Sequence, residues 1–310
     1  MQQALTGYLT IWSVIGAGWL AAHLGALTHT HRRVLSHLAF VVASPLLLFS
    51  LVSRASLDHL FASTLLVSAS AIALALALYL VAARVWFRPG RRGSVIGALC
   101  SAYTNAGNLG LPVAAYVLGD MTWMAPIMLI QVGLLQPVAM VMLDLASARE
   151  RGVRLTVSRY VSLPFRNPIT VGTLAGLAVN VTGLSLPEQF WAPIDLIAAM
   201  AVPAMLIAFG VSLRLDPLPG NGPHRDELIV ILLIKVLLHP LVAFLLAGVA
   251  LRLPLPDVLA VTVIAALPTA QNIYVIAGRY HVRPLLARDA IFWSTILSVP
   301  VIVAASTWLR

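Results

Sequence analysis

Polar and apolar positions in this chain come in blocks rather than at a helical or strand period. Ten stretches of roughly 20 residues are apolar, and short basic segments separate most of them. They are Met1–Ala26, Val34–Ser53, Leu60–Ala83, Gly93–Gly119 and Met121–Leu143, then Asn167–Pro187, Gln189–Leu213, Leu228–Leu251, Val258–Gly278 and Ala290–Leu309. About 20 apolar residues in helical conformation cross the hydrocarbon of a bilayer. The pattern therefore predicts an all-α polytopic membrane protein with ten spans. Only Asp195 and Lys235 place a charge inside a span.

Composition agrees: 60% of the 310 residues are hydrophobic and 10% charged, against roughly a quarter charged in soluble domains. The net charge of +9 sits in the loops and not on a polar domain, which excludes a nucleic-acid-binding reading. With ten spans both termini share a side. Sixteen basic residues then fall in the loops of one side and three, Arg54, Arg252 and Arg310, on the other. Positive charge accumulates on the cytoplasmic side, so both termini are expected outside the plasma (inner) membrane. Cys100 is the single cysteine, so no internal disulfide forms. No Cys/His cluster has metal spacing, and no cofactor is implied.

The longest basic segment, 146–166, divides the spans into five and five. Halves with an odd number of spans insert in opposite orientation, the inverted repeat found in many transporters. The expected organisation is a first repeat over 1–145, a short cytoplasmic linker over 146–166 and a second repeat over 167–310. Prolines recur accordingly: Pro45 and Pro203 lie 158 residues apart, Pro112 and Pro268 lie 156 apart.

Two spans look broken. Asn105, Gly107, Asn108, Gly110 and Pro112 cluster within the fourth, and Pro268, Thr269, Gln271 and Asn272 within the ninth. Proline removes a backbone donor and clashes with the preceding turn. Such breaks persist at membrane depth only inside protein or beside a polar cavity. Crossed at mid-membrane, they would present half-helix N-termini suited to an anion. Kinks with interhelical amide hydrogen bonds are the plainer alternative. Lys235 and His239 share a helix face. Lys235 lies seven residues into its span, about 10 Å, so pairing at a broken helix and snorkelling to the surface both stay open. Asp195, near a span end, is read as interfacial. Gln136 is a second candidate for lining the cavity.

At these residues the chain resembles the auxin efflux carrier family, which includes the plant PIN-FORMED carriers. The resemblance runs over all ten spans. It is carried by Asn105 to Pro112 ending in LGLP, by ALPTAQNIYVIAGRYHVRP at 266–284, and by KVLLHP at 235–240. It implies crossed fourth and ninth helices, a dimerising scaffold of helices 1, 2, 6 and 7, and a transport domain of helices 3–5 and 8–10 moving as an elevator. On it, Asn105 meets the substrate carboxylate, Gln131 lies nearby, and Asp144 matches an acidic position at the end of the fifth helix. An acid and a lysine of the plant carriers' third helix are missing here. The implied activity is secondary transport of a small organic anion, such as the malonate linked to bacterial relatives, by a homodimer surrounded by lipid.

The expected substrate-binding residues are Asn105, Asn108, Gln131, Gln271 and Asn272. Gly107, Gly110, Pro112 and Pro268 shape the crossing, and Lys235 and His239 serve coupling or charge compensation. A sodium-coupled symporter resembling the bile acid carriers and a ligand sensor without transport are the competing readings. An enzyme is not expected, because acids, bases and metal ligands do not converge at one depth.

Overall fold

A computed structural model of the chain describes residues 2–54, 63–110, 113–150, 152, 168–184 and 187–309. Their regular structure is helical apart from one isolated antiparallel bridge. The helices are α1 (Gln2–His23), α2 (His29–Ser53), α3 (Ser63–Phe87), α4 (Gly90–Ala102), α5 (Pro126–Glu150) and α6 (Pro168–Thr182), followed by α7 (Glu188–Leu215), α8 (Arg225–Ala250), α9 (Leu255–Ala266), α10 (Asn272–Arg279) and α11 (Pro284–Trp308). Between α4 and α5 the chain forms wide turns over Ala106–Gly110 and Ala114–Leu118. By length and composition, α2, α3, α5, α7, α8 and α11 are apolar enough to cross a membrane, and α6 and α9 are shorter apolar helices. Their outward faces carry exposed Leu66, Val81, Leu196 and Val249, a surface that lipid solvates and water does not. Pro112 and most of the 146–166 linker lie outside the described residues.

Several helices begin before the uncharged blocks do. α2 starts at His29, α8 at Arg225 and α11 at Pro284. Charge marks where hydrocarbon ends, whereas a helix continues until its backbone groups find other partners. At α2 the His31 ring accepts the Thr28 N–H at 3.1 Å, a side chain reaching back to the cap. At α11 the start is set by Pro284 in its first turn, where the missing N–H costs nothing.

The most extensive helix contacts pair α1 with α7 and α2 with α6, and glycine makes both possible. A Cβ on Gly18 would lie 2.4 Å from the Ile207 carbonyl oxygen, and one on Gly176 2.7 Å from that of Phe49. Gly18 and Gly176 are 158 residues apart, as are Phe49 and Ile207, the same spacing as Pro45 and Pro203. Gly210 against Ile15 and Gly172 against Pro45 tighten the same two contacts. Near its start α7 is tied to α2: Asp195 accepts from Ser50 at 2.7 Å and from Arg54 at 2.8 Å. Asn180 of α6 donates to the Val52 carbonyl at the end of α2.

Two acids that look like loop residues in the sequence are buried. Glu227, in the first turn of α8, accepts from the Tyr79 hydroxyl at 2.6 Å and pairs with Arg283. Tyr79 fits because residue 97 is glycine, where a Cβ would fall 1.8 Å from its hydroxyl. Asp289 pairs with the fully buried Arg288 at 2.5 Å and accepts the Gly220 N–H at 2.9 Å. Buried charges persist when paired and hydrogen-bonded, and these pairs staple α3, α8 and α11.

Gly210→Ala should lower the thermal midpoint of the purified protein, because overpacking costs about 1–3 kcal/mol. Gly16→Ala should leave it unchanged, since a Cβ there meets nothing within 4 Å.

Candidate functional site

α4 ends at Ala102 and α9 at Ala266. Beyond each, the chain turns extended, with Tyr103 at φ −79°, ψ 111° and Leu267 at φ −57°, ψ 145°. Leu267 precedes Pro268, whose ring disfavours the helical region for its neighbour. α4 ends well ahead of Pro112, so that proline is not what stops it. The two extended stretches meet as an antiparallel bridge between Thr104 and Thr269. The Asn105 N–H donates to the Pro268 carbonyl at 2.8 Å, and the Ala270 N–H to the Tyr103 carbonyl at 3.2 Å.

At each of these ends the helical pair made by the threonine N–H is replaced, and both of its groups find new partners. In a continuous α4, Thr104 N–H would bond to the Cys100 carbonyl. Instead it donates to Gln131 Oε1 at 2.5 Å, and the Cys100 carbonyl accepts the Thr269 hydroxyl at 2.6 Å. In a continuous α9, Thr269 N–H would bond to the Ala265 carbonyl. Instead it donates to Ser294 Oγ at 3.0 Å, and the Ala265 carbonyl accepts Lys235 Nζ at 3.1 Å. Lys235 is wholly buried and also lies 3.1 Å from His239 Nδ1. It therefore does not snorkel, and its place at the end of α9 is where a helix dipole favours a cation.

A cavity of about 100 Å³ adjoins the bridge. Tyr103, Asn105, Gly107, Gln271 and Asn272 line one side, Gln131 and Gln136 of α5 another, and Phe40, Ser44 and Leu48 of α2 with Ile169 of α6 and Met205 of α7 the rest. Among the described residues no charged one lines it. Asn105 Nδ2 donates to Gln271 Oε1 at 2.7 Å, joining the two breaks by side chains as well as backbone. Gln136 Oε1 accepts from the Tyr103 hydroxyl at 2.8 Å and from Asn272 Nδ2 at 2.9 Å. Asn272 Oδ1 is buried without a hydrogen-bond partner. A Cβ on Gly107 would meet nothing within 4 Å, so the absent side chain leaves this wall open. At Gly110, by contrast, a Cβ would fall 2.8 Å from Met124 Sδ.

Among the expected site residues, Asn105, Gly107, Gln131, Gln271 and Asn272 converge on this cavity, and Pro268 supplies a bridging carbonyl. Lys235 and His239 lie behind it, against the end of α9. The side chain of Asn108 lies outside the described residues. Gln131 is committed to backbone: besides the N–H, it accepts the Thr104 hydroxyl at 3.0 Å and donates to the Thr104 carbonyl at 3.1 Å. The sequence reading missed Tyr103, Thr104 and Ser294. Thr104 and Thr269, each flanked by amides at a break, were the available signal.

A wider cavity of about 770 Å³ lies beside the first, and Val275 lines both. Arg32, Arg33 and His37 of α2 face Arg279 and His281 across it, and no acid lines it. Arg32 is held by Asp216 at 2.5 Å.

The sequence profile of a family described as "Membrane transport protein" matches residues 4–160 and 153–305. A protein of Rhizobium meliloti (strain 1021) named "Putative malonate transporter" is 28% identical over 309 residues, covering 97% of this chain and 94% of that protein.

Gln131→Met leaves the Thr104 N–H and hydroxyl short of partners, while the carbonyl keeps the Ala106 N–H. Each buried unsatisfied group costs on the order of 1–3 kcal/mol. The variant should lose thermal stability clearly, while Asn105→Ala, which removes the side-chain bond to Gln271, should lose less; differential scanning fluorimetry in detergent compares them.

Proposed function

Because the chain belongs to the auxin efflux carrier family of membrane transport proteins, we propose that it is a secondary carrier for a small organic anion, with the cavity at the Thr104–Thr269 bridge as its substrate site. The observation that carries this reading is the lining of that cavity: amides and two interrupted helices, with no acid to repel a carboxylate. The start of α10 at Asn272 borders it, and the positive end of a helix dipole attracts anions. The basic residues of the wider cavity add positive potential on the approach, which concentrates anions. A dicarboxylate of malonate's size is the substrate class put first, following the relative's name.

In the same reading the chain is a ten-span, 5+5 inverted repeat with broken, crossed helices four and nine. The paired glycine contacts at a common 158-residue spacing support the repeat. α1, α2, α6 and α7 form the scaffold, through which two copies associate. α3–α5 and α8–α11 form a body that carries the cavity across the membrane in an elevator motion. The tight packing of the first group and the cavity's place between the two groups support that division.

A second reading, sodium-coupled symport, draws on Asn272 Oδ1. This buried acceptor has no donor, and a cation would satisfy it.

In proteoliposomes loaded with radiolabelled malonate or a related acid, Asn105→Ala and Gln271→Ala should each reduce transport roughly tenfold, the loss expected for one hydrogen bond to a charged group. Normal transport by both, with both folded, sinks the site assignment. Replacing sodium with choline should leave the rate unchanged on the first reading and abolish it on the second.

A further inference from the structure

A third hollow lies away from both cavities, between α3, α4 and α5, and measures about 470 Å³. Its wall is apolar over most of its length, with Leu76, Leu80, Leu99, Leu135, Val138 and Met142. Leu80, Val138 and Met142 are exposed, 46%, 46% and 51% respectively, so the hollow opens on the lipid-facing side of the helices. At one end the wall turns basic. Arg91 and Ser94 in the first turns of α4 meet Arg149 in the last turn of α5. Both arginines are exposed, and among the described residues no acid lines the hollow. The neighbouring acid, Glu150, is taken by Arg92 at 2.7 Å.

From Leu135 to Arg149 the groove runs about 21 Å along α5 at 1.5 Å per residue. One leaflet of a bilayer with its headgroup layer is about 20–22 Å deep, half of the 40–45 Å total. The groove thus matches one lipid molecule in length, in apolarity along its shaft and in charge at its head. The charge also selects the lipid. A zwitterionic headgroup would bring a cation toward two arginines with no acid to receive it, whereas an anionic headgroup brings none. Basic pockets between membrane helices take anionic headgroups for this reason.

We propose that this groove seats a phospholipid with an anionic headgroup, its phosphate against Arg91 and Arg149 and an acyl chain along Leu80, Val138 and Met142. The site stands on its own geometry and does not depend on the substrate reading. It bears on that reading through α4, whose far end carries Tyr103 and Asn105: a lipid bound along α4 and α5 steadies the helices that hold the bridge.

The test is thermal stability of the purified, detergent-solubilised protein titrated with dioleoyl phosphatidylglycerol, dioleoyl phosphatidylcholine, or inorganic phosphate. Phosphatidylglycerol should raise the midpoint well above phosphatidylcholine, and phosphate should not move it. In the Arg91→Gln/Arg149→Gln double variant the advantage of phosphatidylglycerol should fall to roughly half or less, by loss of two charge-assisted contacts. Arg252→Gln, remote from the groove in sequence and fold, should retain it. Met142→Trp, which fills the apolar shaft and keeps the charges, should lose phosphatidylglycerol in native mass spectrometry where the unaltered protein keeps it. Equal shifts with both lipids, an undiminished advantage in the double variant and in Met142→Trp, or a shift reproduced by inorganic phosphate would each overturn the proposal.

Discussion

A helix cannot end in hydrocarbon without finding partners for the backbone groups it releases, and that constraint organises the centre of this protein. Without water, each unpaired N–H or C=O costs several kcal/mol. Among the groups that the ends of α4 and α9 release are the Cys100 and Ala265 carbonyls and the Thr104 and Thr269 N–H groups. Two come to terms through α5 and α11, by way of Gln131 and Ser294. One is taken by the opposing strand, through the Thr269 hydroxyl, and one by Lys235 of α8. The bridge itself pairs Asn105 and Ala270 with Pro268 and Tyr103. Polar side chains that look like a binding set in isolation are thus partly engaged in keeping two broken helices satisfied.

That division of labour separates residues by role. Gln131, Thr104, Thr269, Ser294 and Lys235 hold backbone. Asn105, Gln271, Gln136 and Asn272 connect the breaks to one another and face the cavity. The distinction is physical. Removing a backbone partner leaves a buried group unsatisfied in the same fold, whereas removing an amide that faces a cavity leaves space that water or ligand can fill.

The helices around this centre differ in how they pack. α1 with α7 and α2 with α6 approach so closely that glycine is needed at the contact. The cavity wall they present is mainly apolar, through Phe40, Leu48, Ile169 and Met205. The opposite wall is polar, through Asn105, Gln131, Gln136 and Asn272. A smooth apolar face against a self-satisfied polar one has few bonds to break on sliding, which suits the elevator motion proposed here.

Much of the architecture was legible along the chain because it depends on local properties. Block length and the placement of arginines mark membrane-crossing segments wherever the segments lie. The cluster of Asn105, Gly107, Gln271 and Asn272 near Pro268 marks the breaks, because amides, glycine and proline are poor choices for a continuous helix in lipid. The pairing across the breaks was not legible. Matching prolines aligns Pro112 with Pro268 at 156 residues, but the bridge joins Thr104 to Thr269 at 165, since the partner of an extended strand is set by which backbone groups face each other. Nor did the sequence separate a snorkelling Lys235 from one capping Ala265, or show that Glu227 and Asp289 are buried. Those outcomes depend on which distant helix supplies the hydrogen bond or the opposite charge. Apolar blocks and the amides, glycines and prolines within them could be read along the chain; which groups satisfy the ends of α4 and α9 came from the packing, because in an apolar interior that choice belongs to whichever neighbour is brought within about 3 Å.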